Sequence, residues 1–390
     1  MVSPQRIYLD YASMTPVLPD VRHAMEEALS ERGNPSSIHA DGRQARQRLE
    51  RARGQVAALI NAKPEEVYFT SCGTESNNWA LRGLLAANRR KGNRLIISAI
   101  EHPSVSLVAR RLELDGAQVS VLPVDHEGLV SPEALKQALR PETALVSIML
   151  ANGEVGTIEP IRALAAVAHE HGALFHTDAV AAVGHHPVDV RALGVDALSL
   201  AANQWYGPIG AAALCVREGV RMLPLLEGGG QETGARSGTE AFPAIVGMGA
   251  AAELTQRTLA ERIARVSQLR DRLRDGLASR IESLRINGSW AARLPHNLHV
   301  CVDGLSSESL VLGLDQAGLA AGIGSACNSK AMRPSHVLKA MGLSDEEAKG
   351  ALVLTVGEST TDEEIDRALE IIPTVVRQLR RVTVLTSRAI

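Results

Sequence analysis

Short apolar runs recur along the first two-thirds of this chain, each separated from the next by a stretch with helical character. Val67-Tyr68-Phe69, Leu95-Ile96-Ile97, Val119-Ser120-Val121-Leu122, Leu145-Val146-Ser147-Ile148 and Ala173-Leu174-Phe175 read as buried strands. Glu75 to Ala87, Ser104 to Leu114, Pro132 to Leu139 and Ile161 to His171 read as the helices between them. Such alternation builds βαβ units, so the expectation is an α/β fold with a mainly parallel sheet. A helix-favouring stretch from about Pro243 to Leu277 then changes the pattern. Strand-like Leu298 to Val302, with helices near Ser307 to Gln316 and Glu363 to Arg380, suggests a smaller α+β domain.

Composition removes several functional classes. The 390 residues are 45% hydrophobic and 22% charged, as in ordinary globular chains. A net charge of -3 gives no electrostatic case for nucleic acid or an anionic membrane. No apolar run approaches the roughly 20 residues that span a bilayer. Met1 to Arg6 runs directly into strand-like Ile7-Tyr8-Leu9-Asp10, which reads as a cytoplasmic chain without a signal peptide. Cys72, Cys215, Cys301 and Cys327 are widely spaced, with no CxxC pair, and read as thiols rather than a disulfide framework.

Several polar segments follow the predicted strands. Ser71-Cys72-Gly73-Thr74-Glu75-Ser76-Asn77-Asn78 joins a strand to a helix, which suits either a phosphate or an ordinary N-cap turn. The glycine loop Gly228 to Thr239 contains Arg236 and hydroxyls, suited to close backbone approach to an anion. Asp178 ends an apolar strand, where open α/β sheets place their ligands, and His102 follows another strand toward the same crevice. His169, His171, His176 and the pair His185-His186 lack zinc-like spacing, so no metal site is assigned. Cys327 lies among small residues in Gly322 to Lys330, and Lys330 and Arg333 would favour its thiolate. Cys215 and Cys301 fit buried, inert cysteines better.

Together these motifs resemble the NifS/IscS-type cysteine desulfurases, in the class V aminotransferase group of fold-type I pyridoxal-phosphate (PLP) proteins. The resemblance rests on Tyr8-Leu9-Asp10-Tyr11, Gly33-Asn34-Pro35-Ser36-Ser37, Thr70 to Ser76 and Glu101-His102-Pro103. It continues through Asn152-Gly153-Glu154-Val155-Gly156-Thr157, Asp178-Ala179, Tyr206-Gly207-Pro208, Gly228 to Thr239 and Gly324-Ser325-Ala326-Cys327. It implies a large PLP-transferase-like domain over 15–255 and a small α+β domain from 1–14 and 256–390, the latter carrying Cys327. It also implies a homodimer in which Thr74 and Thr239 contact the cofactor phosphate, Thr239 from across the interface. His102 would stack on the pyridine ring, Asp178 would pair with its nitrogen, and Cys327 would carry a persulfide.

The departures are as specific as the matches. Gln204 occupies the position of the Schiff-base lysine, and Asn203 that of the histidine before it. Ala201, Gly153 and Ala181 stand where the family has a phosphate-binding serine, a cofactor-binding asparagine and a glutamine. Val353 replaces the arginine that grips the substrate carboxylate, Glu358 another arginine, and Met14 a threonine. A carboxamide is neither an amine nucleophile nor a general base.

The sequence therefore points to a desulfurase-like protein without Schiff-base chemistry. It would act in sulfur transfer or iron–sulfur cluster assembly through Cys327, with a sulfur acceptor or scaffold protein as partner. Cys327 is also a candidate cluster ligand. One alternative is that the pocket, with Thr74, His102, Asp178 and Arg236, binds or transforms a different phosphorylated ligand, Gly73, Asn203 and Arg236 being its ligand-binding candidates. Others are a structural partner of an active paralogue and a conventional desulfurase. The retained His102 and Asp178 leave non-covalent PLP binding open.

Overall fold

The apolar runs become strands of one sheet in the computed structural model, which describes residues 6–324 and 334–387, with side chains to 382. In chain order the strands are β1 (Ile7–Leu9), β2 (Val67–Thr70), β3 (Arg94–Ser98), β4 (Gln118–Leu122), β5 (Thr143–Ser147) and β6 (Leu174–Asp178). They continue with β7 (Ala197–Ala201), β8 (Ala212–Val216), β9 (Leu284–Asn287), β10 (Asn297–Val302), β11 (Leu319–Ala321) and β12 (Ala351–Thr355). The helices begin with α1 (Pro19–Leu29), α2 (Ala40–Leu59), α3 (Gly73–Ala87), α4 (Pro103–Leu114), α5 (Pro132–Ala138) and α6 (Ile161–Glu170). They end with α7 (Val190–Leu193), α8 (Phe242–Ala278), α9 (Ser307–Gln316), α10 (His336–Ala340), α11 (Asp345–Ala348) and α12 (Asp362–Ser387).

The large sheet has the order β2-β8-β7-β6-β5-β3-β4. Within it β8 runs antiparallel to both neighbours, and the remaining pairs are parallel. Leu95 and Ile97 join one apolar cluster while Ile96 joins another, so β3 is buried on both faces. That double burial is why such strands read as continuous apolar runs rather than alternating ones. The parallel arrangement brings the ends of β2, β3, β5, β6 and β7 to one edge of the sheet.

A second, antiparallel sheet has the order β12-β10-β9, and β1 pairs in parallel with β11. The 37-residue helix α8 links the two regions. Its first half supplies Phe242, Ile245, Met248 and Ala252 to the core under the large sheet. Its second half supplies Val266, Leu269, Leu273 and Leu277 to the core of the smaller one. No helix among the described residues is long and apolar enough to cross a membrane.

Candidate functional site

Asp178 closes β6 and is buried at the C-terminal edge of the large sheet. Val180 N donates to its Oδ1 at 3.0 Å, and Asn77 Nδ2 donates to its Oδ2 at 2.6 Å. Asn77, on α3, also donates to Ser104 Oγ at 2.8 Å. His102 Nδ1 caps α4 by accepting from Ser104 N at 3.1 Å, and lies 2.7 Å from Ser104 Oγ. One chain of contacts thus joins Asp178, Asn77, Ser104 and His102. Burial pushes the Asp178 carboxyl up, and Val180, His102 and Asn77 oppose that shift. His102 itself is exposed.

Beside this network, α3 starts at Gly73 with Cys72 as an extended N-cap that makes no side-chain cap. A Cβ on Gly73 would come within 2.7 Å of Val180 Cγ2 and 3.7 Å of Ala201 Cβ. Glycine here lets the helix start press against the ends of β6 and β7. Thr74 and Cys72 are exposed at that helix start, a ready position for an anion. Arg236 is committed inside the chain, donating to Glu75 through Nε at 2.8 Å and Nη2 at 3.1 Å. Thr239 is exposed at the end of the glycine loop.

That loop is fixed by a buried ion pair absent from the sequence reading. Arg53 on α2 grips Glu232 through two bonds, of 2.7 and 2.8 Å. Glu232 also accepts from Phe69 N at 2.8 Å. Glu232 and Thr233 both have left-handed backbone, with φ of 48° and 57°, a conformation that needs outside support in residues other than glycine.

Gln204 ends a short 3-10 turn, Ala202–Gln204, directly after β7. Its Nε2 lies 3.5 Å from Ser13 O, and its main-chain oxygen accepts from His185 Nε2 at 2.7 Å. Burial, outweighing that bond, holds the His185 imidazole down at about 4, and its ring stacks 3.7 Å from His296. Asn203 O accepts from both Thr15 N and Thr15 Oγ1, at 3.1 and 3.0 Å. The chain before α1 is therefore sewn onto this turn.

Some of the positions that the sequence reading marks as departures from the desulfurase pattern lie beside one another. A Cβ on Gly153 would lie 3.5 Å from Ala181 Cβ, so those two truncations face each other. Ala201 lies against Gly73, two residues before Asn203 and three before Gln204. Val353 is buried in β12 opposite His299 of β10. Glu358 pairs with buried Arg262 at 3.0 Å, while Arg262 sits 4.6 Å over the Tyr206 ring.

Comparison with known proteins places this geometry. The aminotransferase class-V family profile matches residues 7–367. The chain belongs to that family. It is 46% identical to cysteine desulfurase IscS 1 of Archaeoglobus fulgidus, over 98% of this chain and 100% of that protein. Identity to cysteine desulfurase IscS of Methanosarcina thermophila is 44%, over 98% and 95%. A solved NifS-like protein superposes with a TM-score of 0.90 at 34% identity, covering 96% of this chain and 100% of that one. The fold is thus the α/β fold of NifS-like PLP proteins of fold-type I.

Among family positions, the structure brings Gly73, Thr74, Asp178, Asn203 and Gln204 to one edge of the sheet, and the Asn77–Ser104 bridge ties His102 to them. Cys327, Lys330 and Arg333 lie outside the described residues. Cys215 and Cys301 are buried, and burial pushes their thiols up to about 12 and about 11. Among the described residues no group of three or more His, Cys, Asp or Glu is placed to hold a metal. The sequence reading has Asn77 only as part of the strand-to-helix segment and Ser104 only as a helix start, because polar residues near a helix start are usually local caps. The one available signal was their position just after two strands that end at the same edge.

Proposed function

We propose that this chain is a sulfur-transfer protein on the cysteine desulfurase fold that has lost Schiff-base chemistry and acts through Cys327. The observation that carries this reading is Gln204 at the end of β7, in the turn where the resemblance expects lysine. The residues present do not fit covalently held PLP. The carboxamide offers no amine, and the described lysines are engaged or exposed elsewhere. Lys63 pairs with Glu218, Lys339 with Asp345 and Lys349 with Glu346, Lys91 bonds His171 O, and Lys136 is exposed on α5.

The surrounding losses support the same conclusion. Ala201, Asn203, Gly153 and Ala181 remove about four neutral hydrogen bonds, each worth roughly 0.5–1.5 kcal/mol, or about 2–6 kcal/mol together. That corresponds to roughly one to four orders of magnitude in affinity, before the missing covalent bond. Val353 removes the charged grip on a substrate carboxylate, and Glu358 adds a carboxylate that Arg262 balances.

Sulfur would arrive from a donor persulfide. The Cys327 thiolate attacks the donor's outer sulfur, the donor S–S bond breaks, and the donor leaves as its thiolate. Cys327 then holds the persulfide for a scaffold or another acceptor, with the chain acting as a homodimer. The test uses a donor persulfide labelled in its outer sulfur. Label should appear on Cys327 and be lost in Cys327→Ser; equal labelling of the variant would reject the reading.

The intact Asp178–Asn77–Ser104–His102 network favours a second reading, in which the pocket keeps a non-covalent ligand. Saturable thermal stabilisation by a phosphorylated ligand, abolished by Asp178→Asn, would support it.

A further inference from the structure

The edge of the large sheet opposite Asp178 and Gln204 contains a cavity of about 210 Å³. Ala197 opens β7 there, Glu66 directly precedes β2, and Arg217 directly follows antiparallel β8. No residue of the Asp178–Asn77–Ser104–His102 network lines it. Its floor is uncharged, formed by buried Val190, Val195, Leu198 and Cys215. Burial keeps the Cys215 thiol neutral, pushed up to about 12. A floor of this kind holds water poorly. The volume is below the roughly 300–1,000 Å³ of sites for drug-sized ligands, so the space suits a smaller molecule.

Two ion pairs form the mouth of this cavity. Arg191 Nη2 bonds Glu66 Oε2, and Arg217 Nη2 lies 2.5 Å from Asp196 Oδ1. In both pairs the carboxylate is the inner member. The Glu66 and Asp196 side chains are 2% and 0% exposed, against 40% and 45% for Arg191 and Arg217. Each carboxylate is also held from within. Glu66 accepts from Lys63 N and Glu218 N, both at 2.9 Å. Asp196 Oδ2 accepts from Phe175 N at 2.7 Å and lies 2.7 Å from His169 Nε2. Asp196 Oδ1 takes no aligned hydrogen bond from Arg217, despite the short ion pair. Among the described residues neither guanidinium makes another side-chain bond, so Nε and Nη1 of each are left for a ligand.

An apolar space with donor-bearing cations at its mouth is the complement of an amphipathic anion. We propose that this cavity is a binding site for a small organic carboxylate. The ligand's apolar body rests on Leu198 and Cys215, and its carboxylate meets the outer N–H groups of Arg191 and Arg217. A planar guanidinium matches a carboxylate edge to edge. The buried carboxylates hold both guanidiniums in place beforehand, which lowers the entropy lost on binding. They also offset the arginine charge, so both parts of the ligand are needed. A bare inorganic anion would satisfy only the mouth, and a neutral isostere only the floor.

The site is independent of the sulfur-transfer reading, so either claim can fail alone. Benzoate is the probe, and its binding to the full chain is followed by saturation-transfer NMR of the ring protons. Wild type should bind it saturably. Benzamide, the neutral isostere, should bind about tenfold or more weakly, the worth of a hydrogen bond to a charged group. Arg191→Gln and Arg217→Gln should each weaken benzoate by a similar factor. Cys215→Leu, which fills the floor, should abolish binding. Absence of saturable binding to wild type, equal binding of benzamide, or unchanged binding in both arginine variants would overturn the proposal. Should the arginine variants fail to fold, undiminished benzoate binding in Cys215→Leu would overturn it.

Discussion

Asn77 Nδ2 donates to Asp178 Oδ2 at 2.6 Å, tying the first turns of α3 to the carboxylate at the end of β6. Replacing Asn77 by Ala removes that donor and its bond to Ser104. The expected loss is about 1.5–3 kcal/mol, the usual worth of a hydrogen bond to a charged group. Urea unfolding of Asn77→Ala checks it. A variant as stable as wild type would show that the network does not organise this edge.

The glycine loop should depend on an ion pair some distance along the chain. The side chains of Arg53 and Glu232 are only 10% and 1% exposed. Breaking such a pair by removing one partner costs about 3–5 kcal/mol, because the other charge is left buried. Arg53→Met should therefore be far less stable than wild type in chemical denaturation. Arg53→Met with Glu232→Gln should recover part of the loss, since no charge then remains stranded. No recovery would place the cost of Arg53→Met elsewhere.

Stability should fall as pH rises from about 6.5 to 8. Burial raises the carboxyls of Glu101 and Glu159 to about 8, from a usual 4.5. Over that interval the folded chain holds protons that the unfolded chain has released, so the stabilisation present at low pH is lost. The buried histidines act in the opposite sense and at lower pH. His185 is held at about 4 and His176 at about 3, so their contribution is complete above 6.5 and lost as pH falls through those values. Denaturation midpoints measured across pH 6.5 to 8 should decline, and Glu101→Gln should flatten the decline. A rising wild-type profile would contradict this account.

Much of the fold was legible because the large sheet is buried on both faces. The runs beginning at Leu95, Leu145 and Ala173 could be read as strands from apolarity alone, and Asp178 could be placed at a strand end. β7, Ala197–Ala201, and β8, Ala212–Val216, were not legible in the same way. Both are alanine-rich and lie between other strands, so burial rather than intrinsic preference makes them strands. The residues expected to depart from the desulfurase pattern are visible as identities in the sequence. That Gly153 faces Ala181, or that Glu358 turns to Arg262, depends on contacts between segments far apart in sequence.

The central claim concerns Gln204, and Gln204→Lys supplies its control. The chain is mixed with PLP, treated with borohydride and mapped by peptide mass spectrometry alongside an absorbance scan. Wild type should show no visible band fixed onto a single lysine, while Gln204→Lys should gain an adduct at 204. The variant should still release no sulfide from free cysteine, because Val353 offers no charged grip for the substrate. A stoichiometric adduct on one lysine of the wild-type chain would contradict the account.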